Sequence, residues 1–75
     1  MPYKYVVTQN SYLIGKRTIV NYGISLVEEE RDNMVVLISI ANLSPRVEPV
    51  ERLVLFCNHL QLDPIHIHDV ISDFL

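Results

Sequence analysis

Apolar residues alternate with polar ones along the first half of the chain and recur at helical spacing along the second. Tyr3, Tyr5 and Val7 alternate with Lys4, Val6 and Thr8, which predicts a first strand over residues 3–8. Gln9, Asn10 and Ser11 interrupt it, and Tyr12, Leu13 and Ile14 extend the pairing as a short irregular edge before a turn at Gly15-Lys16. The alternation over residues 17–28 is longer. Val20, Tyr22, Ile24 and Leu26 share one face and are assigned to the core, opposite Ile19, Asn21, Gly23, Ser25 and Val27. A glycine inside a strand marks a bulge or a close approach by another backbone or a ring, and Gly23 is read that way. A polar hairpin turn over residues 29–33 leads into residues 34–43, the most apolar segment. Val36, Ile38 and Ile40 are expected to face inward. Val35, Leu37 and Ala41 occupy the other side, so the strand is apolar on both faces, in the manner of one buried twice.

The second half opens at Ser44-Pro45. Pro49 is tolerated only in a first turn, which predicts a helix over residues 48–60. Val50, Leu53, Val54, Cys57 and Leu60 form its apolar stripe, Leu55 and Phe56 flank that stripe, and Glu48 and Arg52 make an exposed i,i+4 pair. Pro64 pushes Asp63 out of helical geometry and leaves it free to cap a second helix over residues 64–74. Ile67, Val70, Ile71 and Phe74 make the stripe of that helix. The expected fold is therefore α+β, in the order β-β-β-α-α: a three-stranded antiparallel meander over residues 3–43, then an αα-hairpin over residues 44–75 packed on one sheet face, all in a single domain spanning 1–75. Two helices cover one face of such a sheet and leave the other for something else.

Composition sharpens this point. The 75 residues are 49% hydrophobic and 20% charged, which is apolar for a chain with room for one small core. The lone Cys57 cannot form an internal disulfide, so a disulfide-stapled secreted module is excluded and a reduced, cytoplasmic setting is the expectation. Pro2 and Lys4 precede only a short apolar stretch, unlike a signal peptide, and no run approaches the ~20 residues of a membrane span. Net charge is −3 and the six basic residues are scattered, which excludes a nucleic-acid surface that works by counterion release. The second helix carries aspartates and no Lys or Arg, which argues against a helix-turn-helix reader.

Candidate chemistry is confined to Cys57, His59, His66, His68, Asp69 and Asp73, the residue types that ligate transition metals. On a helix, residues two apart lie about 200° around the axis, so Cys57 and His59 diverge, as do His66 and His68. If residues 65–68 were a strand, both imidazoles would share a face about 7 Å apart. The helix is expected, because the apolar stripe continues to Phe74. Cys57 lies on the buried stripe with no positive neighbour to lower its pKa, so a catalytic thiolate is not expected. Phosphate-loop, dinucleotide and nucleophile-elbow patterns are absent.

The Tyr-rich first strand, the Tyr22-Gly23-Ile24 step and the ending Pro-Ile-His-Ile-His-Asp-Val-Ile-Ser-Asp-Phe-Leu from Pro64 together resemble a family of short bacterial proteins classed only as a domain of unknown function. The likeness spans nearly the whole chain. It implies a bacterial, cytosolic, single-domain protein and carries over no catalytic or binding residue.

The functional expectation is a non-enzymatic interaction module, binding a second copy of itself or another protein through the face or edge of its sheet, with Ile19, Val27, Val35, Leu37 and Ala41 as contacts. No nucleic acid, membrane or cofactor is implied. The alternative is a small-ligand or transition-metal protein using His59, His66, His68 and Asp69.

Overall fold

Each alternating stretch becomes a long antiparallel strand: β1 (Tyr3–Ile14), β2 (Arg17–Glu30) and β3 (Asn33–Ser44). They form an open sheet in the order β1-β2-β3, followed by α1 (Val47–Leu60), a 3₁₀ turn (Pro64–His66) and α2 (Ile67–Phe74). The computed structural model describes residues 3–75; Met1 and Pro2, where the stretch read for a leader begins, lie outside the described residues.

β1 runs without a break through Gln9, Asn10 and Ser11, which pair in register with Tyr22, Asn21 and Val20. Polar side chains interrupt a strand only where a core must be filled, and this part of the hairpin extends into solvent. Both hairpins close on two residues. Gly15 supplies a positive φ of 61° in the first, and Arg31 is held at 54° in the second.

β2 and β3 are irregularly paired. Ile24↔Ile40 and Leu26↔Ile38 lie in register, but Val27 pairs with Val36, which leaves Leu37 as an extra residue. Because side chains alternate with period two, this bulge moves Val36 to the outer face and places Val35, opposite Glu28, on the helix side. The expected alternation of β3 is thus corrected at Val35 and Val36, which precede Ile38. A second irregularity sets Ala41, Asn42 and Leu43 against Gly23 alone, with Asn42 at φ 60°.

The core lies between one sheet face and α1. Tyr5, Ile24 and Leu26 meet Leu53, Val54, Cys57 and Ile67, while Val20 and Tyr22 are only half-buried. Leu60, expected on the buried stripe, is 53% exposed because α1 ends there and Gln61 turns the chain away at φ 50°. Glu48 meets Arg46 at 4.0 Å rather than Arg52, an exposed pair of little energetic weight. Asp63 Oδ1 accepts from the Ile65 N–H at 3.1 Å, as expected of a cap.

Tyr5 joins the halves of the chain. Its main-chain N–H donates to Asn58 Oδ1 at 2.8 Å and its carbonyl accepts from Asn58 Nδ2 at 2.9 Å. Its hydroxyl donates to the Leu62 carbonyl at 2.8 Å. Burial, followed by the neighbouring acidic groups of Cys57, Tyr3 and Asp63, pushes the phenol up from 10.0 to about 12. The folded state therefore holds this proton more tightly than the unfolded state does. Tyr5 contributes stability that is complete below pH 10.0 and disappears as pH rises towards about 12. Urea melts across this alkaline window should show a fall in stability that Tyr5→Phe lacks; matching pH slopes in the two proteins would refute the assignment.

Candidate functional site

Exposed apolar ground on the sheet lies at the tip of the β1–β2 hairpin, where Tyr12, Leu13 and Ile14 are 40–75% exposed, and at the start of β3. Met34, Val35, Val36 and Leu37 are consecutive, uncharged and 40–59% exposed. They are exposed because α1 reaches only the part of the sheet around Ile38 and Ile40, and because β3 has no strand beyond it. The five residues expected to form contacts fare differently. Leu37 sits at the bulge, Ala41 is exposed opposite Gly23, and Ile19 is exposed on the outer face towards the tip of the β1–β2 hairpin. Val35 is exposed but on the helix side. Val27 is 5% exposed, so it is already buried within its own chain, where it lies in register between Lys4 and Val36. Met34 and Val36 were not among the expected contacts; a bulge between apolar residues leaves no compositional mark.

Other features of the outer face are small or polar. Ser25 and Ser39 share a hydrogen bond at 3.0 Å, and the Tyr12 hydroxyl donates to Asn42 Oδ1 at 2.9 Å. Asn21 Oδ1 is buried without a partner among the described residues. A cleft of ≈ 60 Å³ lies between Tyr3, Lys4, Val27 and Glu29, far below the roughly 300–1,000 Å³ of small-molecule sites.

The histidines are not brought together. His59 is in the last turn of α1, His66 ends the 3₁₀ turn and His68 begins α2, and all three are exposed. Residues 65–68 are helical rather than extended, which removes the shared face that the alternative of His59, His66, His68 and Asp69 needed. Among the described residues, no three His, Cys, Asp or Glu side chains gather to hold a metal ion. Cys57 is fully buried in the core, and burial pushes its thiol up, away from thiolate chemistry. Among the described residues no helix is long and apolar enough to cross a membrane.

An open antiparallel sheet with helices on one face and an uncovered apolar strand at its edge defines a small α+β protein with spare surface. The chain belongs to the Family of unknown function (DUF6514), whose model matches residues 1–75. No curated protein and no solved structure matches it.

Proposed function

We propose that this chain is a non-enzymatic interaction module of the cytosol that works as a homodimer joined through its sheet. The observation that carries this reading is the surface area. The chain exposes 5540 Å², where a compact monomer of 8.7 kDa exposes about 4,700 Å². The surplus, roughly 800 Å², is what one partner gives up in an interface of standard size. The radius of gyration points the same way, at 13.3 Å against about 11 Å for a globule of this length. Cys57 supports the remaining terms: a buried, unpaired cysteine acts as a small hydrophobe and suits a reducing compartment.

Multi-angle light scattering at micromolar concentration should return about twice the 8.7 kDa chain mass. A mass of 8.7 kDa up to the highest soluble concentration would sink the proposal.

A further inference from the structure

We infer that the dimer forms edge to edge: β3 of one copy pairs antiparallel with β3 of a second, so that the three-stranded sheet becomes one of six strands. This rests on the homodimer reading and adds the surface and the mode of contact.

The exposure pattern fits an edge contact. A sheet face that lacks its partner exposes alternate residues, since successive side chains point to opposite sides. Met34, Val35, Val36 and Leu37 are exposed consecutively, with the bulge placing Val35 and Val36 on opposite faces. A strand that lacks its lateral neighbour shows this pattern.

The backbone agrees. Both main-chain groups of Tyr5 bond Asn58 and so point away from β2. Tyr5↔Leu26 is then a pair without mutual hydrogen bonds, and antiparallel alternation turns the N–H and C=O of Leu26 towards β3. Continued along β2, the same alternation turns Glu28 towards its partner Val35. The neighbours of Val35, Met34 and Val36, are left with their N–H and C=O groups directed outward. No turn, loop or cap hydrogen bond among the described residues reaches these groups. At the opposite edge of the sheet, Asn58 occupies the equivalent groups of Tyr5. Asn58 thus blocks the β1 edge at Tyr5, and no side chain blocks the start of the β3 edge in the same way.

A second copy fits the open edge by both charge and closure. Glu29, Glu30 and Asp32 crowd the turn at the start of β3, and Arg46 follows its end. Parallel pairing would stack the two acidic turns side by side. Antiparallel pairing sets them at opposite ends, each directed towards the end of the partner strand that leads to Arg46. The pairing is isologous, so the β3 edge of each copy is consumed by that of the other. Its two-fold axis is perpendicular to the sheet, which puts both helical layers on the same side.

Amide exchange followed by NMR on the intact protein tests this. The Met34 and Val36 amides should exchange about a hundredfold more slowly in the dimer than free edge amides do. A dimer in which both exchange freely would overturn edge pairing while leaving the homodimer standing; a monomer at every concentration would overturn both. Val36→Pro removes an outward N–H that makes no bond within its own chain, a place where an edge strand accepts proline. It should remain folded by circular dichroism and weaken the dimer about tenfold or more. A folded Val36→Pro variant that dimerises as tightly as the parent refutes the inference, and if that variant fails to fold, exchange in the parent protein still decides.

Discussion

Gly23→Ala is expected to cost about 3 kcal/mol or more, at the upper end of overpacking effects and comparable to the whole stability of a small single-core domain. A Cβ at this position would overlap the Ile40 carbonyl oxygen and lie 2.9 Å from Ala41 Cα. Both are backbone atoms, so no side-chain rotation relieves the overlap. The strands must separate where three residues of β3 crowd against one of β2, and the neighbouring Ile24↔Ile40 pair carries that strain into the core. Gly15 is the control. Nothing lies within 4 Å of its Cβ position, and its requirement is conformational, a φ of +61°. Gly15→Ala should cost only about 1 kcal/mol, the ordinary penalty of a left-handed alanine. Paired urea melts of the two variants check the contrast. Equal midpoints would mean that the β2–β3 approach yields easily and that Gly23 matters only as an ordinary strand glycine.

The architecture was legible because two periodicities divide the chain. Period two carries β1 and β2, and the stripe from Val50 to Cys57 carries α1. Asp63-Pro64 marked the second helix by a mechanism, a cap beside a proline, and the cap is present. Gly23 announced its close contact because a missing side chain inside a strand needs a reason. The bulge at Leu37 gave no such notice. In a run of Met, Val, Val and Leu, every residue suits either face, so the pattern cannot report where the phase slips. That slip redistributed the candidate contacts. Val36 moved to the outer face and Val35 moved to the helix side. Val27, on the central strand, is enclosed by its own neighbours. The apolar surplus itself was visible from composition, but its position at an edge depends on strand pairing.

Asn58→Ala is expected to be the second severe change, at about 2–3 kcal/mol, the cost of leaving one backbone donor and one acceptor without partners. Asn58 sits on the flank of α1 that faces β1, and its carboxamide presents to Tyr5 an acceptor and a donor in the arrangement a neighbouring strand would offer. No other uncharged side chain of this size carries both groups. Asn58→Asp separates this account from a simple loss of packing. An ionised carboxylate still accepts from the Tyr5 N–H but repels its carbonyl, so at neutral pH the variant should be about as unstable as Asn58→Ala. Protonation restores a donor, and the folded state favours that form, so the pKa of the new carboxyl is raised on folding. Stability should therefore recover as pH falls through the carboxylate range, relative to Asn58→Ala at the same pH. A flat difference between the two variants from neutral to acid pH would contradict the bidentate role. The same substitution bears on the proposed assembly, because Asn58 blocks, at Tyr5, the edge that β3 pairing would leave free. Its loss adds the Tyr5 N–H and C=O to the outward groups of the β1 edge, which weakens closure at two copies. Asn58→Ala at high concentration should then grow beyond the dimer in light scattering, whereas the parent protein should not.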